Sequence, residues 1–197
     1  MLEEHGKILT KDLLKMIDGM TNESTWKTIV KQTKLNVSWR TLGEEYRTRS
    51  YERLGNCELM PGVKKLLFHL HSNKIPMAIA SSTSQYMYAR KSAPHTELFK
   101  VFHHVVCGGS DPDVVKSKPD PQIFILCMDR FEDKPKPRDC LIFEDTVNGV
   151  SAAIDAGSQC VVIPAKDLPR EDFKFATLIV NSLEEFKPEQ FGLPKYN

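Results

Sequence analysis

An excess of either charge is what this chain of 197 residues most clearly lacks. Its 27 lysines and arginines oppose 26 aspartates and glutamates, for a formal net charge of +1. So even a balance gives no basic footprint for nucleic acid, and none is expected as a partner. Long hydrophobic runs are missing too, so neither a membrane-spanning helix nor a membrane partner is expected. The opening MLEEHGKILTKDLL is too charged for a secretory signal. The cysteines (Cys57, Cys107, Cys127, Cys140, Cys160) are odd in number and have no C-x-x-C spacing. That favours buried free thiols in a reducing cytoplasm over disulfides or zinc. Internal repeats and low-complexity segments are absent. What remains, 41% hydrophobic and 27% charged residues, is the composition of an ordinary globular protein, expected as a monomer.

Strands are scarce before residue 58. Leu9, Leu13, Leu14 and Ile17 recur at helical spacing, and Gly19 closes that segment. Asn22 or Ser24 is placed to cap a second helix through Trp26, Ile29 and Val30. Ser38 is placed to cap a third, with Leu42, Tyr46 and Leu54. From Leu59 onward, helices alternate with short apolar runs. PGVKKLLFHLHSN (61–73) reads as a helix with proline in its first turn. IPMAIASSTS (75–84), VFHHVVCGG (101–109), CLIFED (140–145), QCVVIP (159–164) and ATLIVN (176–181) read as strands. DPQIFILCMDRF (120–131) and NGVSAAIDAG (148–157) read as helices. The alternation predicts a parallel sheet covered on both faces.

Ligands of such sheets bind beyond the carboxyl ends of the strands. Three polar signals fall there. Ser81, Ser82, Thr83 and Ser84 follow one strand, Lys118 lies in the loop KSKPDP (116–121), and Glu144 and Asp145 end another strand. Hydroxyls and free N–H groups at a helix start suit a phosphate, and a lysine adds a compact positive charge. Adjacent carboxylates suit Mg²⁺, which bridges protein oxygens to substrate phosphate. Each signal alone also fits a plain turn, a helix cap or a solvated side chain. His103 and His104 have no third residue at ligand spacing, and Arg47, Arg49 and Arg53 fit a solvated helix face.

In this order the three signals resemble the motifs of the haloacid dehalogenase (HAD) superfamily, whose members mostly hydrolyse phosphate esters. Ser81 resembles the hydroxyl that bonds the transferring phosphoryl group, and Lys118 the cation that steadies it. FEDTVNGVSAAIDAG resembles the metal motif, with Glu144 and Asp145 as magnesium ligands and Asn148 and Gly149 supporting them. The resemblance implies an α/β fold: a HAD-like Rossmannoid parallel sheet (59–197) with a small α-helical cap (1–58, partial). It implies Ser81 and Lys118 as catalytic residues, Ser81, Ser82 and Lys118 as phosphate-binding, and Mg²⁺ as cofactor. The partner is then a small phosphorylated metabolite. KPDPQIF, FEDTVNGV and FKPEQFGLPKYN resemble segments of phosphatases in that superfamily, and the resemblance implies a pseudouridine 5′-phosphate-like nucleotide or a sugar phosphate as substrate.

One part of the pattern has no counterpart. The family's nucleophile is an aspartate of a D-x-D motif ending the first core strand, and no such strand precedes the helices here. MIDGM (16–20) carries Asp18 in a helical pattern, and Asp111 and Asp113 surround Pro112 in a turn, so neither is expected to serve. The expectation is therefore an N-terminally shortened enzyme with its first core strand absent, two unpaired sheet edges and little or no turnover. An inactive phosphate- and Mg²⁺-binding protein and a sugar-phosphate mutase are the alternatives.

Overall fold

A computed structural model of the chain describes residues 1–165 and 168–196, the side chains of Glu52 and Arg53 excepted. The first third is helical. Thr10 caps α1 (Lys11–Ile17), its hydroxyl accepting from Leu13 N at 3.2 Å. Thr21 caps α2 (Asn22–Thr33), accepting from Ser24 N at 3.3 Å. Asn22 and Ser24 thus lie inside the first turn rather than capping it. Threonine serves because only the preceding residue has the extended backbone a cap requires. Leu2, Leu13, Trp26 and Ile29 bury against Leu42 of α3 (Trp39–Leu54), and this cluster is separate from the cores of the rest.

The remainder alternates as expected. Strand β1 (Ala78–Ser81) pairs in parallel with β2 (His104–Cys107), Ala78 opposite His104. Strand β3 (Leu141–Glu144) pairs in parallel with β4 (Gln159–Val162), and β4 with β5 (Leu178–Ile179). The two-residue period sorts their side chains onto two faces. Ile142, Cys160 and Val162 join Val106 under α7 (Gln122–Asp129) and α8 (Val147–Asp155). Val161 and Met77 turn the other way, toward Leu66, Leu67 and Leu70 of α4 (Val63–Ser72) and Phe186. Pro61, expected in the first turn of α4, lies just before it, and Gly62 is the residue at its N-terminal boundary. Two more helices, α5 (Gln85–Ser92) and α6 (Thr96–Phe99), carry too little apolar pattern to be seen in sequence; Met87 is the buried residue of α5, and α6 has none.

The strands form a two-stranded and a three-stranded sheet. Met77 O and Ser81 O accept from His103 N at 2.7 Å and Gly108 N at 2.8 Å, so alternation turns Ala80 O away from β2. Glu144 O accepts from Ile163 N at 2.9 Å, which likewise turns the backbone of Phe143 away from β4. Among the described residues no strand pairs with either of these free edges. All of β1 is only half-buried in consequence.

Leu42 is fully buried in the helical cluster. Leu42→Ala is expected to destabilise the chain by about 2–5 kcal/mol, read as a lower denaturant midpoint.

Candidate functional site

The three polar signals converge where β1 and β3 end. Lys118 is 5% exposed, and its Nζ donates to Ala80 O at 3.3 Å and to Glu144 Oε1 at 2.5 Å. The ammonium also sits 4.4 Å from the ring centre of Phe124. Lys118 thereby links the free edge of β1 to the last residue of β3. The second carboxylate oxygen of Glu144 accepts from Asp145 N at 3.0 Å, Thr146 N at 3.3 Å and Thr146 Oγ1 at 3.1 Å. Burial pushes the Glu144 carboxyl up, but the Lys118 charge and these donors outweigh it and hold it below the usual carboxylate range. Thr146 also caps α8, accepting from Gly149 N at 3.1 Å. Gly149 leaves the room Glu144 occupies: a Cβ there would lie 2.0 Å from the carboxyl carbon.

Asp145 is exposed as a residue, yet protein atoms crowd its carboxyl. Desolvation, then the charges of Glu144 and Asp18, push it up to about 6. Asp18 is raised in turn, by burial first and then by Glu144. The structure therefore carries a third carboxylate to the acidic pair, from the turn after α1. The residues that bring it there are Asn148, whose amide donates to Met16 O at 3.1 Å and to Asp18 O, and Ser82, whose hydroxyl donates to Gly19 O at 2.6 Å. Nothing in the sequence announces these contacts, because Asn148 and Asp18 stand 130 residues apart. The capping role of Thr146 was not anticipated, since the helix was expected from Asn148 and begins at Val147. Ser81 Oγ accepts from Thr83 N at 3.3 Å, so the hydroxyl turn closes on its own backbone while Ser81 stays beside the Lys118 contact.

The other candidates go elsewhere. Asp111 and Asp113 both accept from Arg130, Asp113 at 2.9 Å, in an ion-pair cluster beyond the end of β2. His104 Nε2 meets Cys127 O at 2.9 Å, and the Nδ1 atoms of His103 and His104 are 2.8 Å apart. All five cysteines are free, and burial raises Cys127 to about 11 and Cys160 to about 12, which keeps those thiols protonated. Arg47 and Arg49 pair with Glu44, Glu4 and Glu45 at the surface, while the side chain of Arg53 lies outside the described residues.

A family model described as haloacid dehalogenase-like hydrolase matches residues 8–157. The chain belongs to the haloacid dehalogenase-like hydrolase family. Over all of its length it is 42% identical to a probable pseudouridine-5′-phosphatase of Drosophila melanogaster, of which it spans 85%. Over 71% of its length it is 43% identical to (DL)-glycerol-3-phosphatase 1 of Arabidopsis thaliana, of which it spans 47%. In fold it is similar to a β-phosphoglucomutase of Clostridium difficile, with a TM-score of 0.78 at 20% identity, covering 96% of this chain and 83% of that one. The family's α/β architecture of parallel strands and covering helices is the one described above. No helix among the described residues is long and apolar enough to cross a membrane.

The donor set bears on magnesium. Among the described residues no three His, Cys, Asp or Glu side chains converge as a cage. Mg²⁺ needs no such cage, since it is usually held by one or two carboxylates, waters and substrate phosphate. The carboxyl of Asp145 would fit that role, and Glu144 Oε1, held by Lys118, would fit it if the ammonium turned to an anion.

Two outcomes follow for this site. Lys118→Met leaves a buried carboxylate without its partner and is expected to destabilise by about 3–5 kcal/mol, whereas Lys118→Met combined with Glu144→Gln recovers most of the loss. Urea unfolding of both variants at neutral pH measures this. The raised Asp145 binds its proton more tightly folded than unfolded, so ionising it removes stability as pH rises from 3.8 to about 6. Asp145→Asn is expected to flatten the fall in melting temperature over that window.

Proposed function

We propose that the chain binds a small phosphate monoester, a pseudouridine 5′-phosphate-like nucleotide or a sugar phosphate, at the carboxyl ends of β1 and β3. Ser81 and Ser82 donate to the phosphoryl oxygens and Lys118 neutralises them. Glu144 and Asp145 hold Mg²⁺, with Asn148 and Gly149 supporting the acidic turn. Bound there, the metal would supply charge to draw the ester oxygens into place. Residues 59–197 form the α/β core of this reading and residues 1–58 a partial helical cap. The setting is a monomer in a reducing cytoplasm, a reading supported by the five free thiols.

The observation that carries the reading is the buried contact of Lys118 with both Ala80 O and Glu144 Oε1. It brings three signals, far apart in sequence, within reach of a single anion. Support for the substrate class comes from the relatives, whose printed activities are on pseudouridine-5′-phosphate and glycerol-3-phosphate.

Hydrolysis through an aspartyl phosphate needs a carboxylate nucleophile beside Ser81 and Lys118. Asp111 and Asp113 are held by Arg130. Asp18 is tied by its backbone to Asn148 and faces the acidic pair, whose negative charge repels an incoming phosphate. These 197 residues are therefore expected to bind phosphate and Mg²⁺ and to turn over slowly or not at all. The test pairs calorimetry of Mg²⁺ with inorganic phosphate and release from a chromogenic phosphate ester. Binding heat that disappears in the Glu144→Gln, Asp145→Asn double variant supports the site, and no heat from the wild type refutes it. Ester release above the double variant overturns the expected lack of turnover. Phosphoryl transfer within a sugar phosphate, the second reading, is favoured by the phosphoglucomutase fold likeness and would appear as a new phosphorus NMR signal rather than free phosphate.

A further inference from the structure

A donor of the proposed phosphate site and a residue that supports its acidic turn are already engaged, and by one short segment. Ser82 has a single hydroxyl proton, and Gly19 O accepts it at 2.6 Å. Asn148 has two amide protons, accepted by Asp18 O and by Met16 O. Thr21 N donates to Ser117 Oγ at 2.7 Å, next to Lys118. Four hydrogen bonds thus tie residues 16–21 to three separate places: the turn after β1, the Lys118 loop and the start of α8. Three of their acceptors are carbonyl oxygens, and that of Gly19 takes the Ser82 proton that a phosphoryl oxygen would need.

Gly19 makes this seating possible. Its φ is +77°, and a Cβ there would lie 2.5 Å from Thr146 Oγ1. Thr146 cannot turn aside without loss, because that oxygen accepts from Gly149 N and donates to Glu144 Oε2. The segment is therefore fitted to the site atom by atom.

We propose that residues 16–21 are an internal competitor of the phosphate: segment and anion use the single hydroxyl proton of Ser82 in mutually exclusive ways. Ser81 and Lys118 receive the anion first, since the segment makes no hydrogen bond to either among the described residues. Completing the phosphate shell with Ser82 then expels the Gly19 carbonyl and loosens residues 16–21. The proposal rests on the phosphate site proposed above.

Inorganic phosphate, with Mg²⁺ present, is titrated by calorimetry into the wild-type chain and into Gly19→Ala, which removes no group of the site. Amide exchange of residues 16–21 is followed in the wild type with and without phosphate. Gly19→Ala is expected to bind about tenfold tighter, the loss of one competing hydrogen bond of ~1.4 kcal/mol. Phosphate is expected to speed exchange at residues 16–21. Equal affinities, with exchange unchanged or slowed, overturn the competitor and leave the phosphate site standing. No binding to either chain overturns the site reading and the competitor with it. Should Gly19→Ala melt early, Ser117→Ala decides: it removes the acceptor of Thr21 N and is expected to tighten phosphate, and an unchanged affinity overturns the competition.

Discussion

An ammonium and a carboxylate, each at least nine-tenths buried, meet between two sheets that share no backbone ladder. Taking such charges out of water costs several kcal/mol per ion, and their attraction offsets this only if the remaining donors and acceptors are satisfied. Here they are. Glu144 receives three further donors, and Lys118 has the Ala80 carbonyl and the face of Phe124. The pair does what a strand's hydrogen bonds do elsewhere in a sheet: it fixes the end of β3 relative to the free edge of β1. The groups proposed to meet the substrate are therefore also those that hold the two halves in register. Chemistry and stability cannot be altered independently at these positions.

The α/β part was legible because burial on two faces requires continuous apolar runs. AIAS, HVVC, LIFE and QCVV are all such runs, and each became a strand. Helices α5 and α6 escaped notice for the opposite reason, since they bury Met87 and little else. The cap of α2 was assigned to the wrong residue because asparagine, serine and threonine all lie near its start, and only the backbone chooses among them. The convergence of Ser81, Ser82, Lys118, Glu144 and Asp145 as a candidate site could be anticipated, because sheet topology dictates that polar strand ends face one way. Asp18 was set aside for standing in a helical pattern. Its approach depends on Asn148 and Ser82 gripping backbone carbonyls, and a carbonyl grip leaves no mark on residue identity.

The relation between helical unit and sheet unit is unusual in its economy. Their buried clusters share no residue, so the hydrophobic effect stabilises each separately. What joins them near the site is polar: four hydrogen bonds from residues 16–21, and Lys15 with Asp172 at 2.7 Å. Neutral hydrogen bonds contribute about 0.5–1.5 kcal/mol each, and a half-exposed ion pair less. Contacts of that strength are what the proposed competitor would give up, while Tyr51 stacked on Tyr86 and Cys57 O bonded to His95 also join the two units.

This arrangement also locates the choice between hydrolysis and transfer. The groups proposed to grip a phosphoryl group are the same for either outcome, so Ser81, Lys118 and the acidic turn would not select the acceptor. Water wins where the site stays open during phosphoryl transfer, and a sugar hydroxyl wins where closure excludes water first. In this chain the element that lies against the site is the 16–21 segment of the helical unit. Similarity to a β-phosphoglucomutase in fold and to phosphatases in sequence are compatible findings, since one fold hosts different reactions.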